Sequence, residues 1–296
     1  MVQRVRTSPF HLIWEGQTKI LIHPHFQRQL QAMGIDRVAA IVEKARVDPQ
    51  RRGRQVCRIF APPPGDSRRY VIRHYTRGGL FRRLLGDRFL FGSRPFRELM
   101  ITEEIRSRGL PTAQALAALR HPAGGFFYRG ELITEEIPES QDLASFFSGH
   151  EGLASKGRST LRHEVASQAG RTVRLMHDLG VYHGDLNLKN LLVQPVFQSQ
   201  PMVYVIDFDR STVRPSLSAQ ARVRNLLRLN RSVEKSKRKR VCVRYADRAR
   251  FFRAYTQGDP VIVRAMKDQL RKTRLRNLWH RMGWALDRLL NPSDRP

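Results

Sequence analysis

The sequence predicts an α+β fold with two lobes, a strand-rich front and a helix-rich back that meet at a cleft. Strand-like segments and turn signals dominate the chain up to residue 137, and helical periodicity dominates beyond residue 140. Such a separation of strands from helices along the chain is typical of an α+β architecture. With 296 residues, 41% of them hydrophobic, the chain can bury a large core without disulfide or metal staples.

The composition excludes two classes of protein. Hydrophobic and charged fractions of 41% and 27% fit neither a disordered chain nor a multi-span membrane protein. No apolar run approaches the roughly 18 to 20 residues that a membrane-spanning helix needs. No apolar h-region of a secretory signal follows the first basic residues. We therefore expect a folded protein without a membrane span.

The charge is strongly positive. A count of 54 Lys and Arg residues against 26 Asp and Glu residues gives a formal net charge of +28. This excess predicts an anionic partner, which could be nucleic acid, an anionic membrane surface or a phosphorylated substrate. Arg-rich codon usage could also contribute to it.

Four strand-like segments are predicted in the front lobe, which we assign to residues 49–137. Two of them, Gln55–Phe60 and Tyr70–Tyr75, are joined by a turn-rich segment and are expected to pair in antiparallel fashion. Two more, Gly125–Tyr128 and Glu131–Thr134, follow later in the chain. Together they predict the sheet of an N-lobe.

Two helices are predicted, one in each lobe. Phe96–Arg108 is helical, and Glu98 lies on the same face as its apolar stripe. In the C-lobe, which we assign to residues 138–296, Leu161–Leu179 carries apolar residues with a period near 3.6. On the first of these helices, a carboxylate is thus expected beside the apolar stripe.

Both ends of the chain permit two interpretations. Residues 1–48 form an N-terminal extension, in which a strand-like Ile20–Ile22 run and a helix-like 26–45 segment could pack on the front lobe or form a substrate-side lid. The C-lobe ends in a basic amphipathic helix. That helix could pack on its own domain, or it could dock on a membrane interface with Trp279 and Trp284 near the lipid headgroups.

Three polar side chains stand at a spacing that suits phosphoryl transfer. They are Asp185, Asn190 and, after an intervening hairpin, Asp207. Because the transferred group is held by metal ions, the protein supplies one carboxylate to accept the hydroxyl proton and hard oxygen ligands for Mg²⁺. In the protein-kinase pattern, His-Arg-Asp-Leu-x-x-x-Asn followed by Asp-Phe-Gly, these roles belong to the Asp, the Asn and the second Asp. The matching segments are His183-Gly-Asp-Leu-Asn-Leu-Lys-Asn190 and Ile206-Asp-Phe-Asp209, which predict a protein-kinase-like bilobal fold that uses ATP and Mg²⁺.

Local turn chemistry is the alternative explanation for each of these residues alone, because Asp and Asn are favoured in turns. The three together, in order and with matching flanks, favour catalysis. For His183 we expect a packed, hydrogen-bonded scaffold role and no proton transfer.

The front lobe is expected to bind the nucleotide phosphates. Such a site needs a basic residue on a strand, paired with a helix carboxylate. Arg73 occupies the place of the lysine in Val-Ala-Ile-Lys, and Glu98 is its expected partner, although Arg73 could instead be a solvated strand residue. Gly53 stands alone where Gly-x-Gly-x-x-Gly would be expected, which predicts a shorter phosphate-covering loop.

Four segments carry a resemblance to a known family. Arg73-His-Tyr-Thr-Arg-Gly-Gly79 is similar to an Arg-His-Tyr-x-Arg-Gly-Gly signature, and Phe96-Arg-Glu98, His183–Asn190 and Val205–Arg210 match as well. On these residues the chain resembles the lipopolysaccharide kinase family, which contains Kdo kinases and core heptose kinases, with the Kdo kinase branch most similar. The Arg at the strand position and the Asp after Asp-Phe are familiar in that branch.

The resemblance implies ATP-dependent phosphorylation of the 4-hydroxyl of Kdo on a lipid A precursor. It also implies a peripheral protein on the cytoplasmic side of the inner membrane, with an anionic membrane surface and no specific nucleic acid as partners. In this family Asp185 would be the general base, Asn190 and Asp207 the Mg²⁺ ligands, and Arg73 with Glu98 the phosphate-positioning pair. Two variations, Gly184 in place of the common Ala and Lys189 before Asn190, have no explanation in the sequence, and neither has the oligomeric state.

Other functions share parts of the pattern. Core heptose kinases have the same catalytic set, and aminoglycoside-phosphotransferase-like kinases share His-Gly-Asp-Leu-x-x-x-Asn with Ile-Asp-Phe. A basic cleft would repel a cationic aminoglycoside, which disfavours the latter. A degenerate kinase fold that binds acidic lipid or nucleic acid is the non-enzymatic alternative, although all three catalytic side chains are present and no stacking motif of a nucleic-acid module is visible.

Overall fold

A computed structural model describes residues 9–35, 37–47, 57–62, 68–76, 86–148, 156–194, 200–237, 241–269 and 271. Three predictions fall outside these ranges: Gly53, the Arg77-Gly-Gly79 end of the 73–79 signature, and the part of the C-terminal amphipathic helix that contains Trp279 and Trp284. Over the ranges described, no helix has the length and apolar character needed to cross a bilayer.

The N-terminal lobe is built on an antiparallel sheet that has eight strands among the described residues. The strands are β1 (His11–Glu15), β2 (Thr18–Ile22), β3 (Arg46–Val47), β4 (Cys57–Phe60), β5 (Tyr70–His74), β6 (Phe89–Leu90), β7 (Ala115–Pro122) and β8 (Phe127–Glu135). Their order is β1-β2-β7-β8-β5-β4-β3, and β6 pairs with β8.

Helices cover both faces of this sheet. They are α1 (Pro24–Ala32), α2 (Val38–Lys44) and α3 (Arg94–Ser107). On one face, α1 and α2 bury Phe26 and Ile41 in a cluster with Ile72 of β5. On the other face, α3 buries Leu99 in a cluster with Tyr75. Because side chains alternate along a strand, Arg73 and Tyr75 point toward α3, whereas Ile72 points away from it.

The C-terminal lobe is mainly helical. Its helices are α4 (Leu143–Ser148), α5 (Lys156–Asp178), α6 (Ala219–Lys237), α7 (Tyr245–Thr256) and a further helical segment over 260–269. Its short strands are β9 (Gln141–Asp142), β10 (Val181–Tyr182), β11 (Leu191–Gln194), β12 (Met202–Val205) and β13 (Thr212–Val213). A 3₁₀ turn, Leu188–Asn190, leads into β11. One hydrophobic cluster joins α4, α5, α6 and α7 to the β11–β12 hairpin, which gives that hairpin a rigid support.

The predicted α+β class is confirmed, and so is the antiparallel pairing of the first two strands, with Cys57 opposite Arg73. Two strand predictions are wrong in detail. Gly125 and Phe126 lie in the turn before β8, whereas Phe127–Tyr128 and Glu131–Thr134 are parts of that single strand, in which a Cβ at Gly130 would overlap the Pro95 ring of α3. The glycine therefore permits close packing of α3 without ending the strand.

Strand β7 is a strand that the sequence interpretation missed. Its Ala-Leu-Ala-Ala-Leu start favours helix by intrinsic propensity, and all five of those residues are buried. A strand covered on both faces shows no alternation of polar and apolar residues, so its period could not be recognised.

The described part of the N-terminal extension joins the sheet. Strand β2 pairs with β7, with Lys19 opposite Arg120 and Ile22 opposite Ala117. The helix-like 26–45 segment is two helices, separated by a turn in which Gly34 adopts a positive φ of 66°. This arrangement corresponds to the first of the two interpretations, an added strand and helix on the front lobe.

Candidate active site

The catalytic loop is held by hydrogen bonds to its own backbone. The backbone oxygen of Asp185 accepts bonds from the side-chain amide groups of Asn187 at 2.8 Å and Asn190 at 2.9 Å. The N–H of Ile206 donates to the backbone oxygen of Asn190 at 3.0 Å, next to the Leu191–Val205 pair of the hairpin. Two of the predicted residues, Asp185 and Asn190, thus lie in one loop. Asp207 lies two residues after β12, the strand that pairs with β11 at the end of this loop.

His183 supports this loop from the protein interior. It is fully buried, and burial lowers the pKa of its imidazole, which is therefore neutral at physiological pH. Its Nε2–H donates to the backbone oxygen of Ile206 at 3.0 Å, and its Nδ1 accepts the backbone N–H of Asp185 at 3.1 Å. These two partners assign the tautomer and leave no free ring nitrogen, as a scaffold role requires.

A steric constraint, which the sequence did not reveal, explains the glycine at position 184. A Cβ at this position would overlap the backbone oxygen of Arg210. The loop therefore approaches the segment after Asp207 more closely than an alanine would allow.

The carboxylate of Asp185 is exposed to solvent. Its side chain is 56% exposed, and Oδ1 lies 3.3 Å from Nη1 of Arg228 on α6. An ion pair this exposed contributes little to stability. A substrate hydroxyl can therefore take the place of Arg228 beside the Asp185 carboxylate at a small cost in free energy.

A buried cluster joins the two lobes across the cleft. Nη1 of Arg73 donates to Oδ1 of Asp207 at 2.5 Å, and Nη2 donates to Oε2 of Glu98. The Tyr75 hydroxyl also donates to Oε2 of Glu98, and the backbone N–H of Phe208 donates to Oε1 at 3.0 Å. The structure therefore brings together Arg73, Glu98 and Asp207, three of the predicted residues.

Burial controls the charges in this cluster. It raises the pKa of Glu98 to about 7, and the Arg73 guanidinium opposes that shift. Burial also disfavours the charge on Arg73, but Asp207 and Glu98 hold the Arg73 pKa well above its ordinary value. For Asp207, burial would raise the pKa, yet Arg73 outweighs burial and lowers it. At physiological pH the guanidinium and the Asp207 carboxylate are both ionised.

Asp207 has an unusual backbone. Its φ is 70°, in the left-handed region that residues other than Gly seldom adopt. Conformations of this kind cost free energy and concentrate at functional sites. Here the turn directs the Asp207 carboxylate to Arg73 immediately after β12 ends.

A second contact between the lobes was missed in the sequence. Arg94, the first residue of α3, donates to both carboxylate oxygens of Asp209, with a distance of 2.9 Å from Nε to Oδ1. Nearby, Nη2 of Arg97 donates to the backbone oxygen of Ser211 at 2.8 Å. The second Asp of Asp-Phe-Asp could have indicated such a contact. Its partner could not be recognised, because Arg94 is 115 residues away in the chain.

The donors present fit Mg²⁺. The side-chain nitrogen of Asn190 is bonded to the Asp185 carbonyl, so its amide oxygen is the atom left for a cation. Together with the Asp207 carboxylate this makes two hard oxygen donors, and Mg²⁺ typically takes one or two protein ligands plus waters and substrate phosphates. No group of three or more His, Cys, Asp or Glu side chains that could form a protein cage occurs in the described ranges.

Known proteins share this architecture. The family model described as lipopolysaccharide kinase (Kdo/WaaP) family matches residues 48–255. Two relatives named 3-deoxy-D-manno-octulosonic acid kinase, from Vibrio cholerae serotype O1 and Haemophilus influenzae strain PittGG, are each 34% identical over 174 residues, 57% of this chain and 67% of theirs. A solved structure described as WaaP in complex with acyl carrier protein has a TM-score of 0.54 and 20% identity, and the match covers 86% of this chain and 98% of that one. That likeness concerns the fold, which is a kinase-like fold of two lobes.

The matched region contains both the cleft cluster and the catalytic loop. It extends over more than half of the chain, from before β4 into the last turn of α7. On this match, the chain belongs to the lipopolysaccharide kinase (Kdo/WaaP) family.

Proposed function

We propose that this chain transfers the γ-phosphoryl group of ATP to the 4-hydroxyl of Kdo on a lipid A precursor. The observation that carries the proposal is the cluster of Arg73, Glu98 and Asp207 that joins the two lobes, together with the exposed carboxylate of Asp185. The names of the relatives support Kdo as the acceptor sugar. The family also contains heptose kinases, so the acceptor is the part of the proposal that most needs a direct test.

The chemical step follows from the residues at the cleft. A bond forms between the acceptor oxygen and the γ-phosphorus, the bond to the β-phosphate oxygen breaks, and ADP leaves. Asp185 accepts the proton of the acceptor hydroxyl, since its carboxylate is exposed and only loosely held by Arg228. Arg73 positions the ATP phosphates, and Glu98 fixes the orientation of its guanidinium.

Asn190 and Asp207 would hold Mg²⁺, which offsets the charge on the phosphate oxygens when bound. Nη1 of Arg73 lies 2.5 Å from Oδ1 of Asp207, so the protein itself holds the phosphate-positioning residue and the metal ligand in fixed relation. Such pre-organisation lowers the cost of reaching the transition state.

The location is part of the same proposal. A lipid A precursor is membrane-bound and anionic, and a chain with a formal net charge of +28 is complementary to it and to an anionic bilayer. We therefore place the protein peripherally on the cytoplasmic side of the inner membrane, with no specific nucleic-acid partner.

The test is a transfer assay with matched acceptors. ATP is supplied with a Kdo-containing lipid A precursor, the same precursor without Kdo, a heptose-containing core acceptor, an aminoglycoside, or no acceptor. We expect transfer to the Kdo-containing precursor alone, with NMR of the product locating the phosphate on the 4-hydroxyl. Transfer that needs heptose, or occurs only with the aminoglycoside, would contradict the proposal.

A further inference from the structure

Two phenylalanine rings project into solvent from neighbouring turns of the N-terminal lobe. Phe91, between β6 and α3, is 70% exposed, and Phe126, in the turn between β7 and β8, is 75% exposed. Their ring centroids lie 5.9 Å apart. Apolar surface that is exposed to water is unfavourable, and two adjacent exposed rings expose more of it than a single scattered apolar residue. Such a pair therefore marks an interaction surface more often.

The backbone of both turns is specialised. Phe91 has a φ of 49°, in a region that a bulky side chain seldom adopts. In the other turn, Gly124 and Gly125 have φ values of 87° and 52°. The protein therefore accepts an unfavourable conformation at Phe91 to present this ring beside that of Phe126.

Two cations lie next to the rings. Phe91 and Phe126 line a surface cavity of about 220 Å³ together with Lys19 and Arg120. Nζ of Lys19 lies 4.5 Å from the centroid of the Trp14 ring, and this ring is itself largely exposed. Lys19 and Trp14 face each other across β1 and β2, and Lys19 pairs with Arg120 across β2 and β7.

Neither cation is neutralised within the part of the chain that the structure describes. The guanidinium of Arg120 lies 4.8 Å from the centroid of the Tyr128 ring, and its buried Nε has no hydrogen-bond partner. No carboxylate forms an ion pair with Arg120 or Lys19 among those residues. An anionic group could therefore bind here without displacing an internal partner.

We propose that Trp14, Lys19, Phe91, Arg120 and Phe126, which we call the aromatic–basic patch, dock on the surface of an anionic lipid bilayer. In this arrangement Phe91 and Phe126 enter the headgroup and acyl boundary, and Lys19 and Arg120 contact lipid phosphates. Apolar and aromatic side chains next to unpaired cations are the combination that favours such an interface. The rings project from two turn tips, a shape that suits insertion into a lipid layer.

The patch is connected to the cleft through α3. Phe91 precedes Ser93, the residue that caps α3, and Arg94 then contacts Asp209 while Glu98 contacts Arg73. Docking through the patch would hold the start of α3, and with it the cleft, next to the membrane. This consequence rests on the proposed function, because it matters only if the acceptor is a membrane lipid.

The first experiment measures binding of the full chain to phosphatidylcholine vesicles with and without phosphatidylglycerol at physiological salt. The test variant, Phe91→Asn with Phe126→Ser, leaves the net charge unchanged, and Asn tolerates a positive φ. The control, Tyr245→Ser with Val261→Ser, removes two exposed apolar side chains elsewhere. We expect the test variant to lose at least about tenfold in partition to anionic vesicles, and the control to bind as the wild type does.

A charge variant tests the basic part of the patch. Lys19→Gln should lose about fivefold in partition to anionic vesicles, whereas Lys267→Gln, an exposed lysine on the helical segment 260–269, should lose less. Equal losses in these two variants would mean that only the overall charge of the chain contributes.

The second experiment uses Trp14 as a reporter. In a Trp279→Phe, Trp284→Phe background, Trp14 is the remaining tryptophan, and anionic vesicles should shift its emission to shorter wavelength. The shift should disappear with Phe91→Asn and Phe126→Ser. Vesicle binding without any change at Trp14, or unchanged binding of the double variant, would overturn the proposal and assign the contact to another surface.

Turnover separates this inference from the proposed function. The double variant should phosphorylate a soluble, deacylated Kdo acceptor at the wild-type rate and a vesicle-embedded acceptor more slowly. If no Kdo acceptor is phosphorylated by the wild type but vesicle binding still depends on the two rings, the proposed function fails and the docking surface stands.

Discussion

Two arginines of this protein form ion pairs of similar chemistry in different settings. Arg73 is 13% exposed and contacts carboxylates from both lobes, Glu98 of α3 and Asp207 after β12. Arg162 is 3% exposed, and its Nη2 donates at 2.7 Å to Asp247, which is 1% exposed. The first pair lies at the cleft, and the second joins α5 to α7 inside the C-lobe.

The difference lies in how completely each pair is satisfied. Arg73 and Glu98 have a partner for each charged group, including the hydroxyl of Tyr75. In the C-lobe pair, Nε of Arg162 and Oδ1 of Asp247 are buried without a hydrogen-bond partner among the described residues. We infer that the cleft network is organised for catalysis and that the C-lobe pair connects helices at a cost in solvation.

The largest effect on turnover is expected outside both networks, at the exposed carboxylate of Asp185. An Asp185→Asn variant should bind ATP as the wild type does but transfer phosphate about 10² to 10⁴ times more slowly, because the amide cannot accept the hydroxyl proton. Single-turnover transfer and ATP titration check the two parts separately. Unchanged transfer would remove Asp185 from the role of base.

The next largest effect is expected on stability. Arg162→Met leaves Asp247 buried without its counter-charge, so the free energy of unfolding should fall by about 3 to 5 kcal/mol. The rate of transfer per folded molecule should stay close to that of the wild type. Urea unfolding of this variant and of Arg162→Met with Asp247→Leu gives the comparison, and the double variant should recover much of the loss. An unfolding midpoint unchanged in Arg162→Met would contradict this assignment.

A pH effect should distinguish the two networks. In the folded protein the pKa of Glu98 is raised from 4.5 to about 7, so the folded state binds more protons than the unfolded state between these values. The contribution of Glu98 to the free energy of unfolding should therefore decrease as pH rises from 4.5 to about 7. Transfer should increase over the upper part of that range, since ionised Glu98 is needed to orient Arg73.

Glu98→Gln is the control for this titration. The difference in unfolding free energy between wild type and variant should depend on pH in the stated range, and the rising limb of the transfer rate should be absent from the variant. Profiles that run parallel at every pH would show that Glu98 does not titrate there.

The smallest effect is expected from Arg228. Its contact with Asp185 is exposed and long, at 3.3 Å, so Arg228→Gln should barely change stability. Because Arg228 borders the base and the acceptor is anionic, KM for the Kdo acceptor should rise by a few-fold, by about 0.5 to 1 kcal/mol, with little change in kcat. Steady-state kinetics with the acceptor varied checks this. A fall in kcat at constant KM would assign Arg228 to the chemical step.

The parts of the site that could be predicted from sequence are those with a local cause. Asp185 and Asn190 share a short loop, and a two-strand hairpin leads from it to Asp207, so their proximity follows from spacing alone. Arg73 and Glu98 required one further step, the packing of a predicted helix on a predicted strand. The antiparallel pairing and the long C-lobe helix were predictable for similar reasons.

The missed features depend on contacts between distant segments. Arg94 and Asp209 are 115 residues apart, and Arg162 and Asp247 are 85 residues apart, so no periodicity links either pair. Strand β7 is buried on both faces and begins with residues of high helix propensity, so tertiary contacts override its local preference. The reason for Gly184 depends on the position of the Arg210 backbone, which only the folded chain defines.

We infer that the cleft network, and not the C-lobe pair, organises transfer from ATP to the Kdo acceptor. The most direct measurement is the rate of that transfer per folded molecule for Arg73→Met and Arg162→Met in parallel. We predict a loss of about 10² to 10³ for Arg73→Met and a near wild-type rate for Arg162→Met. Equal rates for the two variants, or a larger loss for Arg162→Met, would contradict the account.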